Sequence, residues 1–445
     1  MRGIEAALKV WQDVKAGKFA SESIRSVADS LSPGDLVLAS SLVYCTLRRQ
    51  FLWKEIYSHF LRVSPGGISQ YAGDALCLGT AGILELRTFV PKVLVNGLVQ
   101  ELKKRGDERG AKIVNAVLRR VAEEGWLQLK KIEESGAPKD QALAAGVPGW
   151  VVSSWRNSWG DQGKKLLKMA RIRPYSSFRI SPGTAPGDLS SAAEKKGIRC
   201  WKSPLVPNAL RLAATIYPPE FPGYAEGRAT PQTESSMLVG EVMKKVYKGG
   251  SILELCAGRG IKTGHILSLF PDARVESFEL SPAKSKAAMR EMERLGKKSN
   301  HIITTGDALS LVPAVHPALI SLDAPCSGSG TWNRHPEGKW RLTPEKLDFL
   351  ASLQINLLRR AVSLLAPGGI VVYSTCSLLK NENENVVAQV ISENADLVDM
   401  SFPFSGALFR KGRPWGTYVW PELPWLDGFY MAVIMKKSGG KAIDG

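Results

Sequence analysis

The sequence predicts a multidomain chain: an all-α helical bundle over residues 1–140, a linker helix and small basic α+β module over 141–250, and a Rossmann-like α/β domain over 251–436. Three observations predict it. In the first segment apolar residues recur only at helical spacing, with Pro and Gly breakers between the runs. The middle segment carries 16 Lys/Arg against 7 Asp/Glu and is cut by two Pro-rich stretches. From residue 251 short apolar runs alternate with helical stretches, the pattern of a doubly wound parallel sheet.

Within the first segment, Leu36–Leu47, Ala75–Leu86, Val93–Leu102 and Ile113–Val121 read as helices. In the last of these Ile113, Val117 and Val121 share one face, leaving Arg119 and Arg120 to the other. Ser32-Pro33-Gly34, Pro65-Gly66-Gly67, Pro91 and Gly106–Gly110 separate the runs. In the middle segment, Gly146-Val147-Pro148-Gly149-Trp150 opens a tryptophan-rich helix (150, 155, 159), and Ser176–Ile180 is a strand candidate. Loops are expected at Ser181–Pro186 and Tyr217–Tyr224. Arg179, Lys195, Lys196, Arg199, Lys202 and Arg211 supply the basic density, with Phe178 and Trp201 among them. Cations interleaved with aromatics suit single-stranded RNA, whose phosphates pair and whose bases stack.

In the third segment the strand candidates are Ser251–Cys256, Arg274–Glu279, His301–Thr304, Ala318–Asp323, Gly369–Ser374 and Phe429–Met435. A long helix, Pro344–Leu365, has Thr343 as its N-cap, proline at its first position and Pro367-Gly368-Gly369 as its stop.

The formal charge of +17 points to a polyanionic partner. No apolar run of about eighteen residues is present, and Met1-Arg2-Gly3-Ile4-Glu5 is not a signal peptide, so no membrane association is expected. The six cysteines are scattered without a CxxC pair, and the five histidines show no ligand spacing. That favours a reducing compartment over a zinc site or a disulfide framework. The expectation is a cytoplasmic, metal-free monomer.

The chemistry concentrates at strand ends. Ala318-Leu319-Ile320-Ser321-Leu322-Asp323 runs into Ala324-Pro325-Cys326-Ser327-Gly328-Ser329-Gly330, which places Asp323 and then a thiol where open α/β sheets hold ligands. Fifty residues on, Gly369-Ile370-Val371-Val372-Tyr373 ends in Ser374-Thr375-Cys376-Ser377, so two thiols could face one cleft. Earlier, Leu253-Glu254-Leu255-Cys256 leads into the loop Ala257-Gly258-Arg259-Gly260-Ile261-Lys262-Thr263. This is an acidic strand, a glycine-containing loop and a helix start, without full G-x-G-x-x-G spacing. Glu279 ends the next strand, placed to bond a ribose diol, and Asp307 follows the third, placed to accept from an adenine amino group. Together these acidic groups point to an adenosine-containing ligand.

These stretches resemble the Sun (Fmu, Nop2/Sun) family of S-adenosylmethionine-dependent RNA cytosine-C5 methyltransferases. The specific matches are Leu322–Gly330, Arg334-His335-Pro336-Glu337-Gly338-Lys339-Trp340, Tyr373–Leu378 with Glu382-Asn383, and Asp427-Gly428-Phe429-Tyr430. Val95–Leu102 and Ile113–Arg119 are similar to the NusB family of RNA-binding helical domains. The combination resembles the branch acting on 16S rRNA, and it implies 16S rRNA or a small-subunit precursor as partner and S-adenosylmethionine as cofactor. By the same resemblance, Cys376 is the nucleophile that attacks C6 of cytosine, and Cys326 the second cysteine, needed for elimination. Asp323 holds the N3/N4 edge of the base and Lys262 lies near it. The cofactor shell is Cys256, Ala257, Gly258, Arg259, Gly260, Ile261 and Lys262, with Glu279, Asp307 and Asp323.

The reaction itself requires such parts, because C5 of cytosine is a poor nucleophile until a thiolate saturates C6. Lys262 and Arg334 are expected to lower a thiol pKa there. His335 is expected to be a structural partner in its loop. Ile261 stands where the family has glycine, Glu254 where it has aspartate, and Asn381 where it has glutamate. Arg259 and Ile261 in the cofactor loop support an alternative reading: a catalytically weakened member acting as an RNA-binding ribosome-assembly factor. A DNA cytosine methyltransferase using Pro325-Cys326, or a nicotinamide oxidoreductase, fits the motifs less well.

Overall fold

The structure, a computed structural model, describes residues 2–86, 89–297, 301–400, 404 and 406–438. It divides into two compact units, Met1–Arg171 with Trp332–Arg341, and Ile172–Thr331 with Leu342–Gly445.

The first unit is helical: α1 (Arg2–Lys15), α2 (Ala20–Ala28), α3 (Pro33–Arg48), α4 (Gln50–Phe60), α5 (Gln70–Glu85), α6 (Pro91–Lys104), α7 (Glu108–Glu134), α8 (Pro138–Ala145), α9 (Gly149–Trp159) and α10 (Asp161–Met169). Caps start these helices where the sequence supplies short polar side chains. Ser32, Ser69 and Asp107 accept from the amides of Asp35, Ala72 and Gly110, which begin α3, α5 and α7. On α7 the expected face is inward: Val114, Val117, Leu118 and Val121 are buried and Arg119 is exposed. Arg120 is half-buried and lies over the Phe60 ring. Each such buried aliphatic side chain contributes roughly 1.5–3 kcal/mol.

Residues Trp332–Arg341 pack into this helical unit, although the chain on either side belongs to the other. Lys339 is fully buried, its Nζ donating to the Arg48 carbonyl at 2.8 Å, and the Trp340 Nε1–H donates to the Leu47 carbonyl at 2.6 Å. Burial, reinforced by Arg48, Arg49 and Arg171, holds the Lys339 ammonium well below its ordinary pKa. His335 meets Phe19 edge-on, and the Ala20 amide donates to Glu337 Oε1 at 3.1 Å.

The second unit opens with a four-stranded antiparallel sheet, β1 (Ser177–Ile180), β2 (Cys200–Lys202), β3 (Ala209–Leu212) and β4 (Ala229–Pro231), in the order β2-β3-β1-β4. Helix α11 (Pro186–Lys195) joins β1 to β2. The sequence shows only β1 of these, because two of the others are three residues long and none is a continuous apolar run. The sheet corrects part of the basic-face expectation. Arg179 is buried and donates to Gln232 Oε1 (2.6 Å) and to the Ile261 carbonyl (3.2 Å). Arg211 is buried against Glu234 through two 2.6 Å bonds. Phe178 is fully buried and stacks on Phe221. Lys195, Lys196, Arg199 and Lys202 remain exposed, with Trp201 42% exposed between them.

After α12 (Glu234–Val246) comes the large sheet. Its parallel part comprises β5 (Ile252–Leu255), β6 (Val275–Glu279), β7 (His301–Thr305), β8 (Leu319–Asp323) and β9 (Ile370–Thr375), in the order β7-β6-β5-β8-β9. Helices α13 (Ile261–Leu269), α14 (Pro282–Arg294), α15 (Pro344–Leu364) and α16 (Glu384–Ser392) lie between and after these strands in sequence. Thr343 caps α15 as expected, accepting from the Lys346 amide. The sheet is mixed rather than wholly parallel. Strands β10 (Leu397–Asp399), β11 (Phe409–Lys411), β12 (Thr417–Val419) and β13 (Phe429–Lys436) add antiparallel to the β9 side. Strand order reverses between β5 and β8, and ligands of such sheets bind outside the carboxyl ends at that point. Among the described residues no helix is long and apolar enough to cross a membrane.

Candidate active site

The carboxyl ends of β5, β6, β7, β8 and β9 bring the predicted residues of the second unit together. At β5, Cys256 adopts a left-handed φ of 63°, and Gly258 and Gly260 follow at 63° and 83°. Gly260 caps α13 at its N-terminus, where a Cβ would lie 2.9 Å from Ala288 Cα, so only glycine fits. Ile261 is the first residue of α13, with its backbone outside the left-handed region.

Glu254 is buried in β5 and accepts from Thr263 Oγ1 (2.6 Å) and Ser277 Oγ (2.8 Å). Burial pushes its carboxyl up to about 7, despite those two bonds. It therefore ties β5 to α13 and β6 from inside the sheet. Burial also pushes the Cys256 thiol up to about 12. The Ala257 amide donates to the Phe278 carbonyl at 3.0 Å, and Arg259 is exposed.

Glu279, at the end of β6, is buried with each oxygen engaged: Gly258 N donates to Oε2 at 2.8 Å and Ser281 N to Oε1 at 2.9 Å. The Gly306 amide donates to the Glu279 carbonyl, which sets Asp307 beside it. Asp307 is exposed, with Oδ1 accepting from the Leu309 amide at 3.0 Å. Lys262 Nζ reaches Asp323 Oδ2 at 2.5 Å and lies 5.2 Å from the centroid of the Phe429 ring. Asp323 Oδ1 accepts from Ser374 Oγ at 3.1 Å, across the β8–β9 register that pairs these two residues. The Asp323 side chain remains 33% exposed, against 15% for Lys262. The acidic groups expected to hold a ligand thus stand in an arc along the carboxyl ends of β6, β7 and β8.

At its β9 end the arc meets the thiols, with Cys326 Sγ 3.4 Å from Cys376 Sγ. The loops carrying them are locked together, because Gly330 N donates to the Cys376 carbonyl and Gly428 N to the Gly330 carbonyl. A Cβ on Gly330 would lie 1.9 Å from the Gly428 carbonyl oxygen, so this approach requires glycine. The expectation of a depressed thiol does not hold for Cys326. Its S–H contact with Cys376, and then burial, raise it well above the ordinary thiol range. Arg334, the other cation invoked, belongs to the helical unit.

The sequence reading assigned no role to Glu382, Ser327 or Ser377. Glu382 is fully buried and accepts from Ser327 Oγ and Ser377 Oγ, both at 2.5 Å. A signal was present: each thiol is followed by serine, Cys326-Ser327 and Cys376-Ser377. Among the described residues no group of three or more His, Cys, Asp or Glu could hold a metal ion.

The family described as 16S rRNA methyltransferase RsmB/F matches residues 242–435, and the NusB family matches residues 4–123. The ribosomal RNA small subunit methyltransferase B of Xanthomonas campestris pv. campestris is 25% identical over 411 residues, covering 91% of this chain and 90% of its own length. Its counterpart of the same name in Thermus thermophilus is 29% identical over 411 residues, covering 90% and 89%. Among solved structures, PH0851 shares the fold with a TM-score of 0.80 at 21% identity, over 98% of each chain.

Proposed function

We propose that this chain, whose residues 242–435 match the 16S rRNA methyltransferase RsmB/F family and residues 4–123 the NusB family, methylates C5 of a cytosine in 16S rRNA, from S-adenosylmethionine, through a covalent cysteine adduct. The observation that carries this reading is the 3.4 Å contact of Cys326 and Cys376 beside the Asp323–Lys262 ion pair.

The residues suit the donor. Gly258 has nothing within 4 Å of where a Cβ would project, leaving open space beside the loop. Glu279 and Asp307 present carboxylates for the ribose hydroxyls and the adenine amino group. S-adenosylmethionine supplies an electrophilic methyl on a sulfonium. Asp323 and Lys262 hold the N3/N4 edge of the cytosine, Asp323 through its accessible side. The Cys376 thiolate adds to C6, and the C5–C6 π pair moves onto C5, which takes the methyl group. C5 then gives its proton to solvent, the C5–H pair restores the C5–C6 double bond, and the C6–S pair leaves with Cys376. Cys326, 3.4 Å from that sulfur, donates toward it as it departs and so assists release. The exposed strip of Lys195, Lys196, Arg199, Trp201 and Lys202 binds RNA phosphates and one stacked base. The domain division follows this assignment: RNA binding over 1–140, the linker helix and basic module over 141–250, and chemistry over 251–436.

The test is transfer of labelled methyl from S-adenosylmethionine to deproteinised 16S rRNA and to small ribosomal subunits, followed by digestion to nucleosides. Label in 5-methylcytidine is expected. Label in any other nucleoside, or none on either substrate, contradicts the proposal.

A further inference from the structure

We propose that Glu382 is the positioning residue for the two thiols, a role that rests on the reaction proposed above. Glu382 ends the short turn Lys380–Glu382 beyond β9 and is fully buried. A buried carboxylate without partners is strongly disfavoured, so its partners must satisfy it. Four donors do so. Oε1 accepts from the Ser327 amide (2.7 Å) and Gln354 Nε2 (3.1 Å), and Oε2 accepts from the hydroxyls of Ser327 and Ser377 (2.5 Å each).

Ser327 directly follows Cys326, and Ser377 directly follows Cys376. One carboxylate therefore grips the residue after each sulfur, and the two thiol loops cannot separate without breaking a charge-assisted bond. The site is braced from outside as well. Tyr373 OH donates to the Glu382 carbonyl at 2.6 Å, and Gln354 Nε2 also holds the Pro325 carbonyl at 2.8 Å. These donors are neighbours of the sulfurs, so Glu382 acts through the loops and touches no reacting atom. It differs in this from Asp323, which faces the substrate.

Two readouts test the role, turnover and thiol pairing, in Glu382→Ala, Glu382→Gln and Ser327→Ala. For pairing, the protein is treated with dithiobis(nitrobenzoate). One cysteine thiolate displaces the first thionitrobenzoate anion. The second cysteine gives its proton to solvent and displaces the other, leaving a Cys326–Cys376 disulfide and two released anions. Peptide mapping then distinguishes cross-linked thiols from two separate mixed disulfides.

The wild type is expected to cross-link. Glu382→Ala should give separate adducts and lose on the order of 100-fold in kcat with KM for RNA unchanged, the effect of about 1 Å of misplacement. Glu382→Gln should restore cross-linking and most of kcat, because serine hydroxyls can rotate to accept from the new amide. Cross-linking and kcat at wild-type values in Glu382→Ala would overturn the proposal. Should Glu382→Ala fail to fold, seen as loss of a cooperative melt, Ser327→Ala decides. It removes one donor and leaves three, and it should slow both cross-linking and turnover; no change in either overturns the role. If the wild type never methylates RNA while cross-linking still depends on Glu382, the proposed function fails and the positioning role stands.

Discussion

Cys326 Sγ and Cys376 Sγ lie 3.4 Å apart at the ends of two adjacent parallel strands, although fifty residues of chain separate them. The contact follows from strand register. Asp323 pairs with Ser374, and the Ala324 amide donates to the Ser374 carbonyl, so the loops leave the sheet side by side. The thiols' contact and burial hold the Cys326 thiol well above the ordinary thiol range. The expectations below follow from that pair and from the groups that hold the sheet edge around it.

The buried carboxyl of Glu254 makes stability depend on pH in a defined direction. Its folded pKa of about 7 lies above its ordinary 4.5. Between those values the folded chain holds a proton that the unfolded chain has lost, so the contribution is full below about 4.5 and disappears as pH rises through about 7. The shift corresponds to at most roughly 3 kcal/mol. His301 works oppositely, since burial lowers it to about 4. Its Nε2 meets Ser277 Oγ at 3.0 Å, and the Ser277 hydroxyl proton is already committed to Glu254. A single variant separates the two. Glu254→Gln should gain stability relative to wild type between pH 5 and pH 8, measured by urea denaturation at each pH. A difference that does not change with pH would contradict the assignment.

Glu279→Ala and Asp307→Ala should each weaken S-adenosylmethionine binding by roughly 1–3 kcal/mol, the range for a hydrogen bond to a charged group. Glu279→Ala should be the more damaging, because its carboxylate also holds the Gly258 and Ser281 amides. Ile261→Gly should leave affinity unchanged, since Ile261 occupies an ordinary helix-start backbone. Calorimetric titration reads all three. Tighter binding by Ile261→Gly would show that this side chain crowds the cofactor.

RNA affinity should fall steeply with salt, and the exposed strip on α11 and β2 should carry part of that dependence. Replacing Lys196 or Lys202 by alanine should lower the log–log salt slope by about 0.7–1 each. Trp201→Ala should cost about 1–3 kcal/mol at every salt concentration, as loss of a stacked base does. Arg179 and Arg211 are excluded from this set, since both are buried in internal bonds. A filter-binding salt series in which the lysine variants keep the wild-type slope would remove the strip from the RNA interface.

Much of the sheet edge was legible because its elements are continuous apolar runs closed by distinctive turns. The parallel strands and the cap at Thr343 needed only periodicity and punctuation. The antiparallel addition was harder. Strands β10, β11 and β12 are three residues each, and so short a stretch carries no usable alternation. The inward turn of Arg179 and Arg211 was hidden for another reason: a basic residue reads as solvated unless its partner is known, and Gln232 and Glu234 lie far along the chain. The Trp332–Arg341 excursion into the helical unit left only a trace, two tryptophans in a polar motif. Glu382 lies within a recognisable motif, but its role depends on two loops fifty residues apart meeting at one carboxylate.

The central claim is that the two thiols divide the reaction, with Cys376 adding to the base and Cys326 releasing it. Wild type, Cys326→Ala and Cys376→Ala are each incubated with 16S rRNA and S-adenosylmethionine, then resolved on a denaturing gel. Cys326→Ala should lose turnover and accumulate a shifted protein–RNA band, because addition and methyl transfer precede the step it serves. Cys376→Ala should lose turnover and show no band, because nothing adds to C6. A band with Cys376→Ala and none with Cys326→Ala would contradict the account and make Cys326 the nucleophile.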